Sequence, residues 1–197
     1  HAIYDCWYDG AELAYQGQYY QHTLMPKTFT PTNLWPTRPR IALSATGPLM
    51  TKLAAEQADG MIMHPFSSAT YIREVTLPAI EAGLIQRGRT LNDFELDYAP
   101  MIATGTDEAS IQTSIAQLRD RIAFYACTVA YKPVLDIHGW GDLQDELISL
   151  NRQHNKAAMA SLITDEMVET IGIVGSPEQV IDTMRERFDG VISRTGF

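Results

Sequence analysis

The stretch IALSATGPLMTKLAAEQADGMIMHPF, residues 41–66, decides how this chain is read. Ile41–Ala45 is a short apolar run bounded by turn residues, the pattern of a strand buried on both faces. Gly47-Pro48 then opens a helix expected over Pro48–Ala58, since proline suits a first helical turn whose N–H would lack a partner anyway. Asp59-Gly60 closes that helix, and Met61–Met63 is the next strand. The unit is β-α-β, with the corner Ser44-Ala45-Thr46-Gly47-Pro48-Leu49-Met50 at the carboxyl end of its first strand. Small residues let a ligand approach the backbone there, Gly47 has no Cβ to obstruct it, and Thr46 stands where a helix cap belongs. Free amides and the positive helix end favour an anion such as a phosphate. The same residues also make a sound βα turn with no ligand, because neither a Walker loop nor a full dinucleotide fingerprint is present.

Downstream, Ala69–Arg87 has helical spacing, with Ile72, Val75, Ile80 and Leu84 on one side and Pro78 expected to kink or split it. Phe94–Ala103 reads as a third strand in which Phe94, Leu96 and Tyr98 alternate, and Glu108–Cys127 as a long helix striped with Ile111, Ile115, Leu118, Ile122 and Tyr125. Residues 130–141 are irregular and aromatic. Two or three further helices follow, the last over Ser176–Phe188, and Asp189-Gly190 leads into a strand at Val191–Ser193. Upstream, residues 2–14 suggest the end of a helix carrying Ile3, Cys6, Trp7 and Leu13. Tyr15–Met25 contains the strand-prone Tyr19-Tyr20, and Pro26–Pro39 is an extended connector rich in proline.

EQADGMIM at 56–63 and ERFDGVIS at 186–193 share one order of helix end, Asp-Gly and apolar strand, which points to repeated β/α units. Strands separated by long helical segments pair in parallel, so the fold class is α/β, as a (β/α)8 barrel or a doubly wound sheet. About four strands make half a barrel, and a complete one takes ~250 residues.

A net charge of −9, from 15 basic against 24 acidic residues, argues against a nucleic-acid surface, which needs clustered Lys and Arg. No apolar run approaches the ~18 residues that span a bilayer, so no membrane partner is expected. The amino-terminal HAIYDCWYDG lacks the basic start and apolar middle of a signal peptide, and a cytoplasmic location is expected. It also starts without Met inside an apparent helix, and GVISRTGF stops within an apparent strand, so the sequence is expected to be part of a longer one. Cys6 and Cys127 match no metal-ligand spacing and are read as two buried free thiols, with a single disulfide the other possibility.

His64 follows the second strand directly, at the rim where barrel enzymes assemble their sites. It can bond a cofactor carbonyl, move a proton near neutral pH, or serve as a hydrogen-bonded structural histidine. Tyr131, His138 and Trp140, in YACTVAYKPVLDIHGW (125–140), line a substrate pocket or cover a flat cofactor, unless they only pin a loop to the barrel. Gly175-Ser176-Pro177-Glu178-Gln179 has the look of a phosphate turn, but Ser176 and Gln179 fit a capping box better. Neither His22 nor His138 has a spacing partner for a metal, and no Ser/His/Asp signature, CxxC pair or HExxH motif occurs.

Taken together, these motifs resemble the bacterial luciferase-like oxidoreductases, specifically their coenzyme F420-dependent branch. The marks are Gly47-Pro48-Leu49-Met50, the Leu53–Gly60 run LAAEQADG, Gly17-Gln18-Tyr19-Tyr20, RDRIAFYACTVAYKPVLDIHGW and VGSPEQV. The resemblance covers nearly the whole chain and implies a TIM barrel, with residues 1–197 a single luciferase-like domain lacking its first strands and extreme carboxyl end. It implies hydride transfer between F420 and a small organic substrate, with Ser44, Ala45, Thr46, Gly47, Pro48 and Met50 on the cofactor, His64 catalytic, and Tyr131, His138 and Trp140 facing the pocket. FMN, with reduced flavin and O2 in a monooxygenase, is the alternative cofactor, and a non-catalytic half-barrel the alternative role. A homodimer is usual in that family. The family's first strands, which supply the support for the ring and the usual acid/base residues, have no counterpart here, so this chain alone is expected to be inactive.

Overall fold

In the computed structural model, which describes residues 1–196, helix α1 (Ala2–Asp9) stops at Gly10, whose φ of 71° is the left-handed turn that closes helices. Leu13 therefore lies beyond the helix, not on it. The chain divides into two compact units, His1–Arg40 and the part from Ile41 onward. In the first, Arg38 bridges Asp5 at 2.7 Å and also Asp9, and its guanidinium lies over the ring of Tyr8. Strands β1 (Tyr15–Gln16) and β2 (Gln21–His22) form an antiparallel hairpin. Tyr19 and Tyr20 occupy its exposed turn instead of the strands. The proline-rich connector holds one 3-10 turn, Lys27–Phe29.

The second unit opens with β3 (Ala42–Ala45), α2 (Pro48–Gln57) and β4 (Gly60–Met63). Strands β3 and β4 are parallel, with Ala42 opposite Gly60 and Ala45 opposite Met63. Asp59 explains the Asp-Gly turn: its carboxylate accepts from the Ile41 amide at 2.9 Å and its amide donates to the Ile41 carbonyl at 2.8 Å. Burial alternates along both strands. Ala45, Met61 and Met63 are buried, whereas Ala42, Ser44 and Ile62 are exposed. The expectation that Ile41–Ala45 is buried on both faces is thus corrected. One face of the sheet lies under helices, the other is open, and a period of two sends alternate side chains to each.

Next come α3 (Ala69–Tyr71), a π-helical turn (Ile72–Thr76) and α4 (Leu77–Ile85). Pro78 neither splits nor ends this run. The wider π turn just ahead of it accommodates the missing N–H and the ring's clash with the preceding turn. The expected single strand Phe94–Ala103 is two: β5 (Glu95–Asp97), parallel to β4, and β6 (Met101–Thr104). Pro100 separates them, and the Tyr98 amide donates instead to the Arg194 carbonyl. Val191–Ser193 is no regular strand either, since among the described residues this segment makes one isolated parallel bridge, Asp97 to Arg194, beside β5.

Helix α5 (Glu108–Ala126) is followed by a 3-10 turn, Val129–Tyr131, and α6 (Lys132–Asp136). The segment 130–141, expected to be irregular, is therefore partly helical, because Val134 and Leu135 are buried and hold one turn against the core. Helices α7 (Leu143–Arg152), α8 (Lys156–Ser161) and α9 (Asp165–Ile171) lead to β7 (Gly172–Gly175) and α10 (Pro177–Phe188). Four helices thus stand where two or three were expected. Strand β7, which the sequence reading missed, pairs in parallel with β6. One apolar cluster joins α2, α4, β4, β5 and α10 through Ala55, Ile80, Met61 and Leu96. A second joins β6 and α5 to α9 through Ile122, Leu135, Leu147 and Ile171.

Candidate functional site

Gly47 is the N-cap of α2, with φ 77° and ψ 160°, and no side chain caps this helix. The expectation that Thr46 caps it is corrected: Thr46 is exposed and makes no cap bond, because the glycine takes the N-cap position itself. The first backbone bond of the helix runs from the Thr51 amide to the Gly47 carbonyl. Leu49 and Met50, whose amides precede that first bond, are exposed residues. Ser44, Thr46, Pro48 and Met50 are exposed, Gly47 is half-buried and Ala45 is buried. A Cβ on Gly47 would meet nothing within 4 Å, so the corner is open.

His64 leaves the sheet at the same end, because β3 and β4 are parallel and Ala45 pairs with Met63. Its Nδ1 accepts from the Phe66 amide at 3.1 Å, which assigns the remaining proton to Nε2. Its ring stacks on Tyr131 (centroids 4.4 Å, 24° between planes) and meets the edge of Tyr125 at 4.7 Å. Burial holds its pKa below the ordinary 6.5, so the neutral ring is favoured. The next residue is anchored as well, since the buried Tyr98 donates its hydroxyl to the Pro65 carbonyl at 3.2 Å. Desolvation pushes the Tyr98 phenol well above its usual range and keeps it a donor.

Of the three predicted pocket aromatics, only Tyr131 reaches His64. His138 and Trp140 stack on each other at 4.7 Å, and His138 Nε2 hydrogen-bonds Ser68 Oγ at 2.8 Å. That oxygen also accepts from the Tyr71 amide and so caps α3. The His138 pKa is lowered by burial, against the opposing pull of Glu166 and Glu74. Tyr131 and Trp140 both pack on the second apolar cluster, so these two rings pin the segment. Ser176 and Gln179 close a reciprocal capping box at α10, which bears out the structural reading of that turn.

Two spaces adjoin these residues. A cavity of about 20 Å³ lies between the glycine corner and the loop after β4, lined in part by Gly47, Thr51, His64, Ser67 and Thr76. A larger, mainly apolar cleft of about 530 Å³ has Pro65, Ala99, Pro100 and Ile102 in its wall. That size falls in the ~300–1,000 Å³ range of small-molecule sites. Pro65 and Ala99 follow the carboxyl ends of β4 and β5, so this cleft shares the end of His64. Sequence reasoning missed Phe66, Ser68, Tyr98 and Tyr125. For Tyr98 a signal existed, a polar-tipped residue closing an alternating apolar strand. For the others, only folding brings the partners together. Cys6 and Cys127 are free thiols, half-buried where full burial was expected. Among the described residues no cluster of His, Cys, Asp and Glu is arranged to hold a metal, and no helix is long and apolar enough to cross a membrane.

Parallel β-α units with an open corner and an aromatic-flanked histidine at the carboxyl end of the strands make this an α/β protein. The chain belongs to the luciferase-like monooxygenase family, whose model, described as Luciferase-like monooxygenase, matches residues 1–194. It is 39% identical over 193 residues to an uncharacterized protein of Mycobacterium tuberculosis, covering 98% of this chain and 57% of that one. It is 28% identical over 187 residues to the 5,10-methylenetetrahydromethanopterin reductase of Archaeoglobus fulgidus, covering 90% and 52%. The chain thus spans about half the length of the curated relatives it matches. Among solved structures, the coenzyme F420-dependent tetrahydromethanopterin reductase of Methanopyrus kandleri superposes with a TM-score of 0.76 at 21% identity, covering 98% of this chain and 54% of that one. An F420-dependent secondary alcohol dehydrogenase, in complex with an F420-acetone adduct, gives 0.63 at 17% identity, covering 98% and 52%. At these identities the likeness is one of fold.

Proposed function

We propose that this chain is part of an F420-dependent oxidoreductase that moves a hydride between the deazaflavin and a small organic substrate. The observation that carries the reading is the uncapped glycine corner, open to solvent beside His64 at the carboxyl end of parallel strands. The names of the F420-dependent neighbours and the family membership support it. The corner fits the cofactor's charged tail: exposed amides and a positive helix end meet negative charge, and Gly47 lets the backbone turn toward it.

When bound, F420 supplies the hydride-carrying ring. Ser44, Ala45, Thr46, Gly47, Pro48 and Met50 are the residues that would hold it. His64, neutral and with Nδ1 already committed to the Phe66 amide, presents Nε2–H as a hydrogen-bond donor, which suits polarising an acceptor better than taking up a proton. Tyr131 fixes the plane of that ring by stacking. His138 and Trp140 act on the pocket through Ser68, whose loop they brace. The apolar cleft beside Pro65 is the place for the organic substrate.

The test is a fluorescence titration of the full-length protein with F420 and with FMN. Tighter binding of F420 is expected. Tighter binding of FMN overturns the reading in favour of a flavin monooxygenase, the activity in the family's description.

A further inference from the structure

Ser67 is 3% exposed, and its Oγ has no protein hydrogen-bond partner among the described residues. A buried hydroxyl in that state is ordinarily met by ordered water. Ser67 stands in the wall of the cavity of about 20 Å³ that also touches Gly47, Thr51 and Thr76. Thr51 and Thr76, both buried, stand in the same wall, so α2, the loop after β4 and the π turn each contribute a polar residue beside apolar neighbours such as Ala45, Met61, Phe66 and Val134. One water needs ~10–15 Å³ of such space and about two to four polar neighbours. A phosphate or a ring is too large.

We propose that a single ordered water occupies this cavity, hydrogen-bonded to Ser67 Oγ, and joins the glycine corner to the loop that carries His64. The corner and the histidine belong to separate β-α connections, and the water ties them at their common end. The link to the cofactor corner rests on the function proposed above; the water site rests on Ser67 and the cavity alone.

The test is a crystal structure of the full-length protein at a resolution that shows ordered water, with thermal unfolding of Ser67→Ala and Ser67→Val beside it. One water peak within hydrogen-bond distance of Ser67 Oγ is expected, together with midpoints lowered by about 2–4 °C. A dry cavity, or midpoints that hold or rise, overturns the proposal, because replacing an unpaired buried hydroxyl by an apolar group is neutral or stabilising. Neither readout involves the cofactor. A failure here leaves the F420 assignment standing, and a failure to bind F420 leaves the water site standing.

Discussion

At the scale of single residues, Gly47 carries the most. Its φ of 77° with ψ of 160° lies in a region that essentially only glycine occupies. Because a Cβ there would touch nothing, the requirement is one of backbone angle, not of cleared space. In the full-length protein, Gly47→Val is expected to weaken F420 binding at least ~10-fold, about 1.4 kcal/mol. Unchanged affinity in a folded variant would remove the corner from the site. The histidines make a second prediction. Burial lowers the pKa of both His64 and His138 below 6.5, so the native state holds them neutral while the unfolded chain still takes up protons. Their contribution is whole above the unfolded pKa and is lost as pH falls through about 6.5 toward the folded values. Denaturant midpoints should therefore fall on acidification from about pH 7 to about pH 5, and His64→Gln or His138→Gln should flatten the fall. An unaltered slope in both variants would refute it. His64 was legible as a residue following a strand. The Phe66 amide on its Nδ1 was not, because a two-residue loop bond leaves no periodic trace.

At the scale of elements, the helices α2 and α4 cross closely because both present small residues. Ala54 and Ala55 are fully buried, and a Cβ on Gly83 would come to 2.5 Å from the Lys52 carbonyl oxygen and 2.7 Å from the Ala55 Cβ. Gly83→Ala is expected to destabilise by about 1–3 kcal/mol through overpacking. Helix propensity alone would have it stabilise by ~1 kcal/mol, so the sign of the change in chemical denaturation decides. At α10, Ser176→Ala breaks the capping box and should cost about 1 kcal/mol by the same measurement. A variant as stable as the parent would show that the box contributes nothing. Helix α10 was legible from that motif and α5 from its apolar stripe. Strand β7 was not, because four residues with a glycine at each end, directly after α9, carry little local signal. The break between β5 and β6 rests on Pro100 in an otherwise strand-like run, a breaker the alternating apolar pattern masked.

At the scale of the whole molecule, the aromatic segment owes its order to α6. Leu135 is fully buried in the second apolar cluster, one helical turn from Tyr131 and close in sequence to His138. Leu135→Ala should therefore cost about 2–5 kcal/mol and loosen the stacking on His64 as well. The check is a lower unfolding midpoint together with faster amide exchange at 129–140. Full stability with native exchange would contradict this account of the segment. The open face that exposes Ala42, Ser44 and Ile62 belongs to the same scale, since a face of a sheet is covered only by what packs there.

The order of β/α units, their parallel pairing, the turn chemistry of Gly47-Pro48 and Asp59-Gly60, and the resemblance to one family were all carried by local pattern. Periodicity and turn residues act over a few neighbours, so a single sequence displays them. Tertiary structure alone decided which side chains meet: Tyr131 on His64, His138 on Ser68, Tyr98 on Pro65, and an unpartnered Ser67 beside the corner. Those contacts join residues 33 to 70 positions apart or depend on burial, and no spacing rule along the chain encodes a distance closed by packing between separate elements.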